Sequence, residues 1–279
     1  MRKVSLLLLI PLGAIFLILS QCGKSAIEAQ RDDYGVACGM AYKTSDIYFK
    51  ESDVLTFKLR FIYFADSIGE REPDYGVIIQ GANKFYQSSG IQFVPYSGGS
   101  FSTKIVNSDM KADMPSFIKY HLNYFKNDSV ITMYIYGDDQ PNYAADMKNV
   151  AGSAGGIGSN FFAVRRRYIY ESTVWHELGH CFFLMHPSEP DPTQKGLSLM
   201  YGDKVCDLIK SDPIVGARPD TCYVQNGWNP YTQEEINDLI CNIMSGTMLN
   251  CRKCITQNQR ARMRFYIHES PAMRMALVE

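Results

Sequence analysis

From Val54 to Phe64 the chain alternates apolar and polar residues at period two and then turns wholly apolar, the pattern of a strand entering a core. Tyr75 to Gln87 switches to helical spacing, with Tyr75, Ile78, Ala82 and Phe85 on one face. Ile91 to Tyr96 predicts a second strand, stopped by the turn Ser97-Gly98-Gly99-Ser100. Pro115 to Phe125 predicts a short helix. Ser129 to Tyr136, rich in β-branched and aromatic residues, predicts a central strand. Helices and strands thus alternate before residue 187, an α/β pattern, whereas the later chain reads as loop-rich and carries most of the cysteines and several prolines. Ala151 to Gly158 is glycine-rich, but no Lys-Ser/Thr follows, so it reads as a flexible or edge segment rather than a phosphate loop. Arg165-Arg166-Arg167 reads as a solvated turn, with an activation cleavage site as the other reading.

The N-terminus is of another kind. Arg2 and Lys3 precede Val4 to Leu19, which is apolar except for Ser5, Pro11 and Gly13, the layout of a secretory signal over residues 1–21. Its end, Leu19-Ser20-Gln21-Cys22, resembles a bacterial lipobox, which implies lipidation of Cys22 and a membrane contact by lipid anchor; Gln21 departs from the usual small residue. A plain signal peptide or a short uncleaved anchor is the other reading. The expected location is exported, as a bacterial cell-surface or outer-membrane lipoprotein, or otherwise secreted. Residues 22–53 are mostly polar and read as a linker or pro-segment; residues 54–187 read as an N-terminal subdomain and residues 188–279 as a C-terminal subdomain.

Composition narrows the function classes. With 46% hydrophobic and 13% aromatic residues, the 279-residue chain has ample apolar surface to bury, which excludes a disordered protein. A formal charge of −1 argues against a nucleic-acid partner, which calls for a basic face. In an exported chain the eight cysteines read as disulfide material. Cys251 and Cys254 are expected to bond to Cys206, Cys222 or Cys241, and Cys181 to be a buried free thiol.

The chemistry concentrates in His176-Glu177-Leu178-Gly179-His180-Cys181-Phe182-Phe183-Leu184-Met185-His186. On a helix, positions four apart share a face, so His176 and His180 can offer imidazoles to one ion. His186 is the natural third ligand once the chain turns back, leaving a fourth position open, as in a catalytic zinc site. Glu177 stands beside the first ligand, placed as general base toward water on the metal. His121 and His268 lie outside this motif and read as exposed or hydrogen-bonded structural histidines.

This stretch resembles the motif of the metzincin zinc metalloproteases, H-E-x-x-H-x-x-G-x-x-H, with one departure: the motif's glycine falls on Phe183. Either the turn after the helix is remodelled or Phe183 is held in strain. Three further segments are similar to the pappalysin family, the ulilysin and cytophagalysin group: Gly202-Asp203-Lys204-Val205-Cys206-Asp207, Asn242-Ile243-Met244-Ser245, and Cys254-Ile255-Thr256 with Gln259 and Arg262-Met263. The resemblance implies a twisted mixed sheet with the zinc helix behind it and a C-terminal subdomain with a Met-turn at Met244. Ser198-Leu199-Met200-Tyr201 resembles the matrixin version, which makes Met200 the alternative. Gly246 stands where the family often has Tyr. The resemblance also implies calcium binding at Asp203 and Asp207, which surface carboxylates in a turn would mimic. Cys38-Gly39 looks like the family's pro-region element, so Cys38 is either a latency switch over the zinc or a disulfide partner of the main domain.

The expected function is therefore an exported zinc-dependent endopeptidase acting on protein or peptide substrates, with an extended substrate lying against an edge strand near Gly156 to Val164. The alternative from another class is a non-catalytic surface lipoprotein binding host or matrix proteins on a metzincin scaffold. A zinc hydrolase acting on other substrates has no residue in its favour.

Overall fold

The computed structural model describes residues 53–65, 70–97, 102–106, 118–119, 121–127, 129–137, 150–187, 222, 232–247 and 249–278. The signal segment, Cys22, Cys38, Met200, Asp203, Cys206 and Asp207 lie outside the described residues.

The elements before the site are β1 (Leu55–Ala65), α1 (Tyr75–Tyr86), β2 (Ile91–Pro95), β3 (Ser102–Val106), β4 (Ile131–Tyr136), β5 (Gly152–Ala154) and β6 (Phe161–Arg165). The helices that follow are α2 (Ser172–Cys181), α3 (Gln233–Cys241), α4 (Gln257–Glu269) and α5 (Pro271–Ala276). The strands form one sheet in the order β2-β1-β4-β6-β5, with β3 also paired to β1. Every pairing is parallel except that of β5 with β6.

The period-two pattern of β1 divides the core. Leu55, Phe57, Leu59, Phe61 and Tyr63 face the helices, where they pack with Ile131, Met133 and Ile135 of β4 and with Phe162 and Val164 of β6. Ile62 and Phe64 face the other side with Tyr134, Tyr136, Phe161 and Ala163. A strand buried on both faces suits the interior of a parallel sheet. The helix α1 starts at Asp74, whose side chain accepts from the Gly76 and Val77 amides, and the chain leaves it through Gly90 at φ 65°. It packs on α2 where Gly81 leaves room for the Trp175 ring: a Cβ at Gly81 would stand 2.7 Å from it. The Tyr86 hydroxyl then donates to the Trp175 carbonyl at 2.6 Å.

Three expectations are revised. The edge strand is Gly152–Ala154 rather than Gly156 to Val164: Gly156 (φ 139°) and Gly158 (φ 77°) form the turn, and Phe161–Arg165 is paired on both sides. Arg165 is the buried last residue of β6, so only Arg166 and Arg167 lie in the turn, where Arg166 pairs with Glu70. In the Pro115 to Phe125 stretch, His121–Phe125 forms a π-helical turn. Among the described residues the later chain carries α3, α4 and α5, each opened by a side-chain cap. Among the described residues no helix is long and apolar enough to cross a membrane.

Candidate metal centre

The helix α2 crosses behind the sheet with nearly every side chain buried. Val174 and Leu178 go to the core, which turns His176 and His180 together toward the cleft. The helix ends in a Schellman turn, in which the Phe183 amide donates to the His180 carbonyl at 3.0 Å and the Leu184 amide to the Gly179 carbonyl at 2.9 Å. That turn reverses the chain and returns His186 to the two helical histidines.

The three imidazoles converge. His186 Nε2 lies 2.9 Å from His176 Nε2 and 3.1 Å from His180 Nε2. The other nitrogen of each helical histidine faces a carbonyl: His176 Nδ1 donates to Ile243 O at 2.7 Å, and His180 Nδ1 to Leu184 O at 2.8 Å. A carbonyl only accepts, so both protons sit on Nδ1 and both Nε2 atoms carry lone pairs. Burial, together with the neighbouring His180 and Arg252, holds His176 well below the usual histidine range and therefore neutral. His186 Nε2 thus meets the two helical Nε2 atoms at one point. Around a tetrahedral zinc with bonds of ~2.05 Å, ligand nitrogens stand about 3.3 Å apart, so the same geometry suits a bound cation. The cluster His176, His180 and His186 can hold a metal ion.

Glu177, on the same helix, is buried against β5. A Cβ at Gly152 would come within 3.0 Å of the Glu177 carboxylate, so the edge strand lies directly on it. The carboxyl accepts from the Ala154 amide, and burial pushes it up to about 8, against the pull of the Arg252 charge and of that amide. Arg252 was not singled out by the sequence. Its Nε donates to the Thr247 carbonyl at 2.9 Å, and its charge acts on both Glu177 and His176. The Leu249 carbonyl, accepting from Ser172 Oγ at 2.5 Å, ties the same loop to the start of α2.

The C-terminal segment supplies the floor. Met244 is fully buried, and its sulfur packs on Gly179, where a Cβ would approach it to 2.7 Å. Around it a paired amide locks the loop: Asn242 Nδ2 donates to Gln259 Oε1 at 2.8 Å, and Gln259 Nε2 to Asn242 Oδ1 at 3.1 Å. Asn242 Oδ1 also accepts from the Met244 amide at 2.9 Å. Gln259 has a second task, closing the capping box of α4 with Thr256. Gly246 faces open space. Disulfides join Cys222 to Cys251 and Cys241 to Cys254, two of the expected partnerships, and Cys181 is a buried free thiol as expected. His121 is the hydrogen-bonded structural histidine it was read as, with Nδ1 2.9 Å from the Tyr134 hydroxyl; His268 lies 3.1 Å from Glu269 Oε1.

No sequence signal marks the Ile243 and Leu184 carbonyls or the Ala154 amide, because main-chain atoms are common to all residues. The chain thus presents a mixed α/β sheet backed by a helix that carries two histidines of a three-histidine cluster. Solved structures match the chain in fold. A promirolysin variant from Tannerella forsythia superposes with a TM-score of 0.50 at 14% identity, over 92% of this chain and 94% of that one. At that identity the likeness is one of fold. No family model matches the sequence, and no curated protein does.

Proposed function

We propose that the protein is a zinc-dependent endopeptidase that uses His176, His180 and His186 as ligands and Glu177 as general base. The observation that carries this reading is the pair of Nδ1-to-carbonyl hydrogen bonds, which leaves two lone pairs aimed at the third imidazole, with a buried carboxyl next to them. The fold neighbour is a metalloprotease of the pappalysin family, which supports the same class of chemistry. Bound there, zinc supplies a Lewis acid that polarises a carbonyl and acidifies water toward ~7.

The chain's own groups do the rest. Glu177, oriented by the Ala154 amide, takes the proton of the attacking water and passes it to the leaving amine. Arg252 holds positive charge near that carboxyl and favours its ionised form. Substrate lies extended along β5. The Arg165 amide reaches the Ala151 carbonyl and the Gly155 amide reaches the Phe161 carbonyl, so Gly152 and Ala154 direct their main-chain groups away from β6. Met244, packed under the zinc helix, is the residue of the Met-turn. Export through the N-terminal signal, lipidation of Cys22 and latency through Cys38 belong to the same reading, and the mass of the mature N-terminus tests them.

The deciding experiment pairs zinc analysis with digestion of casein or gelatin by the mature protein and its Glu177→Ala variant. Expected are one zinc per chain in both proteins and cleavage sensitive to chelators. In the variant, cleavage should fall by about 10²- to 10⁴-fold. Zinc binding by a wild type that cleaves nothing would leave the scaffold as a binding surface.

A further inference from the structure

Phe183 occupies the position where the zinc motif has glycine, and it adopts a glycine conformation, with φ 68°. For a bulky residue this backbone is costly and persists only where the surroundings impose it. Three contacts hold it, and a further pair ties its partners together. Its carbonyl accepts from Arg262 Nε at 2.8 Å. Its ring stacks on Tyr266, with centroids 4.9 Å apart and planes 18° from parallel. The Arg262 guanidinium lies over the same Tyr266 ring at 4.7 Å and reaches the Met185 sulfur at 3.7 Å. On the remaining side the Phe183 ring covers Gly158, where a Cβ would stand 2.2 Å from it.

Those contacts bind three parts of the molecule at one residue: the β5–β6 turn through Gly158, the end of the zinc helix, and α4 through Arg262 and Tyr266. The Gly158 amide donates to the His180 carbonyl at 2.8 Å, the same carbonyl that caps the Phe183 turn. One residue on, the Leu184 carbonyl fixes His180, and three residues on stands His186. We propose that Phe183 is a positioning residue for the metal site, its ring clamped between Gly158 and Tyr266 so that the left-handed turn sets both the Leu184 carbonyl and His186. Glycine allows this turn, whereas clamped Phe183 enforces it. The replacement that relieves the backbone strain is therefore the one that loosens the site.

The inference rests on the metal-site reading above, and its test separates the two. Zinc affinity is measured by chelator competition on the full mature chain, and the visible spectrum is recorded after cobalt replaces zinc. Phe183→Gly is expected to keep its fold and weaken zinc binding about 10- to 100-fold, the range for losing a group that orients a ligand. The cobalt bands should lose intensity as the tetrahedral geometry relaxes. Phe183→Tyr, which keeps the ring, should restore both. A wild type that binds no zinc overturns the parent reading and this one with it. A wild type that binds zinc, matched in affinity and spectrum by Phe183→Gly, overturns the clamp alone. If Phe183→Gly does not fold, Tyr266→Leu removes the stack while keeping α4 apolar there. Unchanged zinc affinity and cobalt spectrum in that variant overturn the clamp equally.

Discussion

The sheet half and the C-terminal half of the molecule meet in one core but differ in what else holds them. In the first, β1 runs through the middle of the core with Phe57, Leu59 and Phe61 fully buried, and neighbours on both strands and helices share the load. In the second, α3 contributes only a small apolar cluster of Ile236, Ile240 and Cys251 with Cys222 against it. Its later helices bury Met263, Ile267, Met273 and Ala276 in the main core, and two disulfides, two capping boxes and the Asn242–Gln259 amide pair add to that burial. Burial is strong but non-directional, and it tolerates small shifts. Covalent and hydrogen-bonded ties are directional, and this half places one atom that the cluster needs, the Ile243 carbonyl behind His176. Both halves feed the core, and the second adds directional ties around the histidine cluster.

That contrast can be broken at either end. Phe57→Ala in the sheet should cost about 3–5 kcal/mol in denaturant unfolding, the usual loss for a buried phenylalanine. A loss near 1 kcal/mol would show that the sheet half is not held by burial. Replacing Cys241 and Cys254 together with serine opens a link between residues 13 apart and should cost about 3 kcal/mol. Zinc should be lost at lower denaturant than the far-ultraviolet signal of the sheet; coincident loss would mean that the two halves act as one. Gln259→Ala leaves the buried Asn242 amide unpaired, a cost of about 2 kcal/mol by thermal unfolding, with weaker zinc binding as well. The smallest effect is expected for Thr232→Ala, which removes the cap of α3 at the surface for about 1 kcal/mol and leaves zinc affinity unchanged.

The sheet half was also the legible half. In β1, α1, β2 and β4 the apolar period is set by burial itself, so pattern and structure agree to within a residue or two. The three histidines were legible through helical spacing and one turn. The edge strand was not: Gly152-Ser153-Ala154 has no apolar period, and its place comes from pairing with β6 and contact with Glu177. The role of Arg252 depends on a loop folding back over α2, which residue spacing does not encode. Two expected cysteine partnerships hold, yet spacing alone left their assignment among several candidates open. Phe183 was visible as a departure from the motif, but the outcome turned on Tyr266 and Gly158, residues 83 positions after it and 25 before it.

The shortness of β5 has a consequence for the molecule in solution. Its outward edge is an invitation to any extended chain, a neighbour's unfolded segment as readily as a substrate, and long flat edges of that kind nucleate aggregation. This edge offers three residues before Gly156 turns the chain away, and one of its amides is already taken by Glu177. So short an edge offers little to template a growing sheet, and the same brevity hid it in the sequence.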